Sequence, residues 1–259
     1  MWSNLAELIR DLGINGKVIV SAELGLNHNG DTDLAKKMIG AAGLCGCQAV
    51  KVQNYRTGDV VKSRREMITV DGKDYNAWDL FSRCELDLSQ LKALKAHSDA
   101  CGLIFHSTPT SREGALELRQ IGGNIVKIAS DMMLDPAFAS SCGVWFQNNV
   151  VASMGCTEMW VGTNSLLHWV WLHCVRKYPT PVSEARLERI GSLRAGGRKL
   201  VGYFDHTEGI EAAVSAVRDF GAVWVEKHFT FDHSLPGPDH KWSADPREMK
   251  ELVTCLKSV

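Results

Sequence analysis

A chain of 259 residues with 45% apolar and 23% charged side chains can bury a sizeable core, which excludes a disordered chain. Its formal net charge of -1 leaves no excess of Lys or Arg for nucleic acid or an anionic membrane, and the short run "KSRRE" at 62–66 does not alter that balance. No stretch is long and apolar enough to span a bilayer. The eight cysteines are scattered without the spacing of a disulfide scaffold, so they are expected to be reduced and the protein cytoplasmic. Cys45 and Cys47 have no second Cys/His pair at zinc-finger spacing, and read as small residues packed where a helix meets the next strand.

In chain order, residues 1–16 carry Glu7, Arg10 and Asp11 among apolar residues and predict a short amphipathic helix, not a signal-peptide core. A strand over 17–24 follows, then a helix over 31–46. Leu34, Met38, Ile39 and Ala42 share one face of that helix, and Asp31 can cap its start. A strand over 49–54 leads into a long polar connection and a helix near 87–102. Strands over 103–108, 124–130 and 149–154 then alternate with helices over 111–121 and 135–141. After a poorly patterned stretch, strands over 169–174, 199–205 and 223–229 alternate with helices over 182–195, 208–219 and 245–257. Eight strands alternating with helices predict a parallel sheet, and eight units favour closure into a (β/α)8 TIM barrel over an open sheet. The chain thus reads as one α/β domain, with 1–16 a helical extension and 17–259 the barrel.

In such barrels the active site lies at the C-terminal ends of the strands. The seventh and eighth strands end in the polar triplets Phe204-Asp205-His206 and Glu226-Lys227-His228, so two imidazoles can face one ligand. The same ends collect Glu23, Lys51, Gln53, His106, Ser107, Lys127, Ser130 and Ser153. Parallel strands are buried on both faces, so this many polar ends argue for a site. Two histidines suit a divalent cation such as Mn²⁺, Mg²⁺ or Zn²⁺, with Asp239 as a carboxylate that ligates a bound water or acts as a base. Lys51 and Lys127 together suit a phosphate or carboxylate, and favour an anionic substrate over a Schiff base on either lysine. Asn27, His28 and Asn29 sit at the first strand-to-helix turn, where turn and cap roles weigh as much as substrate contact.

The strings "AELGLNHNGDTDLAKKMIGAAGLCGCQAVKVQNY", "FHSTP", "VKIAS", "LHCVRKYPTP", "GYFDHTEGIEAA" and "VEKHFTFDHSLPGPDHKWS" resemble, in order, the N-acetylneuraminate (sialic acid) synthase family. The resemblance covers most of 18–245. It implies a TIM barrel that condenses phosphoenolpyruvate with a sugar aldehyde, releases phosphate and forms a 2-keto-3-deoxy sugar acid with the help of Mn²⁺ or Mg²⁺. By motif, His206 and His228 would hold the metal. Lys51, Gln53, Lys127, Ser130 and Ser153 would bind substrate. Glu23 and Asp239 would meet sugar hydroxyls or move protons, and Tyr178 would line the acceptor side or wedge the loop before Pro179.

Several positions depart from the family pattern. Phe204 stands where serine is usual before Asp-His-Thr, which removes a phosphate contact. Arg176 stands where asparagine or serine is common and would restore a bidentate grip, or else is a loop arginine. Asp131 and Met132 follow "KIAS" where the family has glycine and then a carboxylate, so that carboxylate is missing or displaced. The fifth unit, from "VASMGC" onward, is remodelled. The family usually continues into an antifreeze-like domain, whereas this chain stops at Val259, and any homodimer would therefore use the barrel itself. Two other readings remain: a metal-dependent aldolase or lyase of a pyruvate-derived acid, and a non-catalytic sugar-acid-binding barrel.

Overall fold

A computed structural model describes residues 4–70, 72–156 and 169–259. Helix α1 (Leu5–Leu12) precedes strand β1 (Ile19–Glu23), helix α2 (Thr32–Cys45) and strand β2 (Ala49–Asn54). A short helix α3 (Thr57–Val60), strands β3 (Met67–Val70) and β4 (Lys73–Asn76) and helix α4 (Ala77–Cys84) then form a separate excursion. The alternation resumes with α5 (Leu88–Ala100), β5 (Ile104–Pro109), α6 (Arg112–Gln120), β6 (Ile125–Ile128), α7 (Pro136–Trp145) and β7 (Val150–Ser153). It ends with β8 (Val170–His173), α8 (Glu188–Ala195), β9 (Leu200–Asp205), α9 (Glu211–Arg218), β10 (Trp224–His228) and α10 (Pro246–Lys257). Eight parallel strands close in the order β1, β2, β5, β6, β7, β8, β9, β10 and back to β1, the predicted TIM barrel.

The helices start where side chains can satisfy their first amides. Asp31 accepts from the amides of Asp33 and Leu34 at the start of α2, and Asp245 and Glu248 form a capping box on α10. Two predicted helices begin later than their patterns suggested. The segment over 182–195 opens as a 3-10 turn, Val182–Glu184, before α8, and α9 starts at Glu211 because Gly209 is left-handed at φ +72°. The remodelled fifth unit expected from "VASMGC" onward runs into 157–168, outside the described residues. All eight cysteines are free, and Cys45 and Cys47 are buried at the junction of α2 with β2. No helix among the described residues is long and apolar enough to cross a membrane.

Alternation along β9 and β10 explains the two polar triplets. Phe204, His206, Glu226 and His228 face the barrel interior. The middle residues, Asp205 and Lys227, face outward and pair at 2.9 Å with no exposure at either side chain. The lower interior is apolar: Leu5, Leu8 and Ile9 of α1 cluster with Ile19, Ile125, Val151, Val170, Leu172 and Trp224. The amphipathic extension therefore closes the floor of the barrel beneath the polar layer.

Gly202 keeps that floor intact. A Cβ there would strike the Trp224 carbonyl and come within 2.6 Å of Leu172 Cδ2. Gly202→Ala is expected to cost about 1–3 kcal/mol or more through overpacking against backbone that cannot retreat. Urea denaturation checks it; an unchanged midpoint would show that the strand has room to shift.

The polar connection over 55–86 holds structure that its sequence pattern did not reveal. The β3–β4 hairpin and α4 pack Leu80 and Cys84 with Tyr55 and Leu26 into a small core of their own, and Val60, Ile68, Tyr75 and Phe81 lean on it. This lobe stands beside the C-terminal mouth of the barrel.

Candidate active site

The strand ends converge on a cavity of about 540 Å³ at the C-terminal mouth. Lys51, Gln53, Lys127, Ser130, Ser153, Arg176, Tyr178, His206, His228 and Asp239, ten of the eleven residues given a metal, substrate or proton role from the resemblance, line it. Glu23 is the exception. It lies one layer deeper, fully buried, with its carboxylate 2.8 Å from Lys51 Nζ, so it reaches the cavity only through that lysine.

The floor is a buried ionic network. Glu226 Oε1 lies 3.1 Å from Lys51 Nζ and 2.7 Å from Lys127 Nζ, and Lys51 also donates to Thr108 Oγ1 at 2.9 Å. Two ammonium groups therefore share two carboxylates, a neutral set that can be buried without leaving a lone charge. Burial pushes Glu226 up, but Lys127 and Lys51 outweigh it and hold its carboxyl down at about 2. Burial draws Lys51 down to about 7, against Glu226, which favours its charged form.

Phe204 covers this network. Its ring centroid is 4.3 Å from Lys127 Nζ and 5.3 Å from Lys51 Nζ, close enough for cation–π attraction. The same ring meets His206 edge-on at 4.1 Å and lies nearly parallel to His228 at 5.4 Å. Phe204 thus places an aromatic plate between the lysine pair and the histidine pair.

The imidazoles stand above, with ring centroids 5.9 Å apart. Val175 O lies 2.6 Å from His206 Nδ1, so Nδ1–H donates to it and the lone pair sits on Nε2. Burial pulls His206 down to about 4 and His228 well below its ordinary value, and both rings are therefore neutral near pH 7. His206 Nε2 and His228 Nδ1 are buried and have no hydrogen-bond partner among the described residues. Asp239 Oδ2 lies 3.7 Å from His228 Nδ1, and burial pushes that carboxyl up to about 7. Two orphaned imidazole nitrogens beside a carboxyl fit a divalent cation. A tighter trio, His233, Asp245 and Glu248, lies outside the cavity, and both of its carboxylates serve the α10 capping box.

Tyr178 lines the cavity. Its ring packs 4.3 Å from His206 and 5.5 Å from Trp242, and the bond to Pro179 is cis. Asp131 lines the cavity too, with Oδ1 accepting from the Met132 amide. Ser153 Oγ is buried and has no hydrogen-bond partner among the described residues, whereas Ser130 Oγ accepts from the Gly155 amide at 3.0 Å.

Other expected contributors fall elsewhere. His106 lies below the ionic layer, 2.7 Å from Ser21 Oγ and edge-on to Trp224, while Ser107 Oγ donates to the Val52 carbonyl. Asn27 donates to Phe229 O and Ser243 Oγ, and Asn29 approaches His240 at 3.2 Å; neither lines the cavity. These turn residues tie the first loop to the last one, which carries Asp239 and Trp242. Glu226, Thr108 and Trp242 were missed as site residues from the sequence. Glu226 had a signal, because the i, i+2 spacing from His228 puts both on one face of the strand.

A closed (β/α)8 barrel with neutral imidazoles, a carboxyl group poised near neutrality and paired ammonium groups on one mouth is of enzyme type. The NeuB family profile matches residues 38–259. The N,N'-diacetyllegionaminic acid synthase of Campylobacter jejuni is 32% identical over 257 residues, covering 94% of this chain and 76% of that protein. The enzyme of the same name from Legionella pneumophila is 31% identical over 96% of this chain and 74% of its own length. Among solved structures, an N-acetylneuraminic acid (sialic acid) synthetase from Leptospira borgpetersenii, in complex with citrate, superposes with a TM-score of 0.81 at 30% identity. That match covers 94% of this chain and 84% of the other. The chain belongs to the NeuB family, and with it to the carbon–carbon bond-forming enzymes.

Proposed function

We propose that the protein condenses phosphoenolpyruvate with a sugar aldehyde, forming a 2-keto-3-deoxy sugar acid and releasing phosphate. The observation that carries this reading is the convergence of Lys51, Lys127, Ser153, Asp239 and the two imidazoles on one cavity. Lys51 and Lys127 bind the carboxylate and phosphate of phosphoenolpyruvate, with Gln53, Ser130, Ser153 and Arg176 placed to orient it. His206 Nε2 and His228 Nδ1 would hold Mn²⁺ or Mg²⁺, which when bound supplies Lewis acidity to an aldehyde oxygen. Carbon three of phosphoenolpyruvate bonds to the aldehyde carbon, water adds at carbon two, and the bond from carbon two to the phosphate oxygen breaks. The new alkoxide needs a proton. Asp239, balanced near neutrality by burial, is suited to hold or deliver it. Tyr178 and the lobe residues Ile68, Val70 and Phe81 form the wall that faces the acceptor.

Calorimetric titration with phosphoenolpyruvate, with Mn²⁺ present and then chelated, tests the reading. Binding followed by phosphate release with sugar aldehydes supports it. No binding in folded protein overturns it in favour of a metal-dependent aldolase of a pyruvate-derived acid, the reading that Phe204 over the lysine pair favours. Lys127→Met is expected to raise the phosphoenolpyruvate Kd about 10- to 100-fold, the effect of one charge-assisted hydrogen bond of roughly 1.5–3 kcal/mol. An unchanged Kd in that variant removes Lys127 from the anion site.

A further inference from the structure

Lys51 and Lys127 are the anion-binding pair of the proposed reaction, yet their side chains are only 4% and 1% exposed. Phe204, itself a lining residue of the main cavity, covers them with its ring 5.3 Å from Lys51 Nζ and 4.3 Å from Lys127 Nζ. An anion in contact with both ammonium groups needs the space that the ring fills.

The two ammonium groups differ in what they have left to give, since each carries three N–H donors. Lys51 Nζ has Glu23, Glu226 and Thr108 as near partners at 2.8, 3.1 and 2.9 Å. Among the described residues, the hydrogen-bond partner of Lys127 Nζ is Glu226 Oε1, at 2.7 Å. Lys127 thus keeps donors for an anion, and it is the lysine that the ring approaches more closely. A cation–π contact is weaker than charge-assisted hydrogen bonds from the same ammonium group, so an anion gains by replacing the ring. The cavity that the ring borders gives it room to turn to another staggered χ1.

We infer that Phe204 is a gate on the anion site: its ring caps the lysine pair in the free protein and turns aside when phosphoenolpyruvate enters. The inference rests on the condensation reading for the identity of that anion. Phe204 acts here through the lysines, as a positioning residue, and such a gate has a thermodynamic signature. The share of molecules with the ring aside scales the affinity of every anion by one common factor, whereas a residue that touches the ligand favours one anion over another.

Calorimetry with Mn²⁺ chelated, using phosphoenolpyruvate, inorganic phosphate and pyruvate as probes, tests the gate, and circular dichroism checks the fold. Phe204→Ala is expected to lower every Kd about tenfold and by the same factor, the scale of a desolvated cation–π contact that no longer has to be broken. Phe204→Leu keeps apolar volume without the ring face and should give a smaller gain, again common to the three; it carries the test if the alanine variant does not fold. Unchanged Kd values, or gains that differ among the anions that bind, overturn the gate. The two ideas fail separately. If phosphoenolpyruvate binds the wild type and its Kd stays the same in both variants, the gate falls and the condensation reading stands. If phosphate and pyruvate gain alike while phosphoenolpyruvate binds none of the three proteins, the gate stands and the condensation reading falls. No binding of any anion overturns both.

Discussion

Replacing His206 or His228 by Ala is expected to weaken Mn²⁺ binding by more than about 100-fold, beyond the 10–100-fold typical of residues that only orient a ligand. Metal-dependent turnover should vanish with it. The reason lies in the lone pairs: His206 Nε2 and His228 Nδ1 are the orphaned buried nitrogens of the mouth, and burial keeps both rings unprotonated near pH 7. The fold should survive, because His206 contributes one hydrogen bond to Val175 O, worth about 1 kcal/mol, and packing against Phe204 and Tyr178. Mn²⁺ titration, product formation and circular dichroism check the three parts. Full activity in either variant would refute the assignment of these two histidines.

Glu226→Ala is expected to be the most damaging single change to stability, at about 3–5 kcal/mol, the usual cost of breaking a buried ion pair from one side. It leaves Lys127 without its carboxylate and Lys51 with Glu23 alone. Chemical denaturation measures it, and a loss below about 1 kcal/mol would show that the two ammonium groups find other compensation. The same group sets an acid limit. Its carboxyl is held at about 2 in the folded chain against an ordinary value of 4.5, so its contribution is complete above roughly pH 4.5 and is lost as pH falls towards 2. In Glu226→Ala, the difference in stability from wild type should shrink over that window.

Most of the frame was legible because buried parallel strands must be apolar runs. "KVIVSAEL" and "NIVKIAS" stand out against the helical period around them. The histidine pair was legible for the same reason, since an imidazole at the end of such a run has no packing cause. What the run does not disclose is depth. Glu23, Lys51 and His106 lie side by side in register, yet Lys51 borders the cavity, Glu23 is hidden behind it and His106 turns to Ser21. Side-chain length and the partner across the barrel decide that, and neither is local in sequence. Glu226 stayed hidden between two residues that drew attention for their own chemistry. The lobe escaped for a different reason. Its strands are four residues each and half exposed, so their alternation is too brief to register against the polar residues around them.

That lobe has a consequence for how the protein can change. Ile68 and Phe81 form part of the cavity wall, yet they are braced by Leu26, Tyr55, Leu80 and Cys84 and not by the barrel's ion pairs. A new hairpin sequence would reshape one side of the pocket while the ionic floor stayed as it was. Selection can therefore act on the two parts separately, and an insertion between β2 and α5 is where a lineage could trade one sugar for another without risking the scaffold.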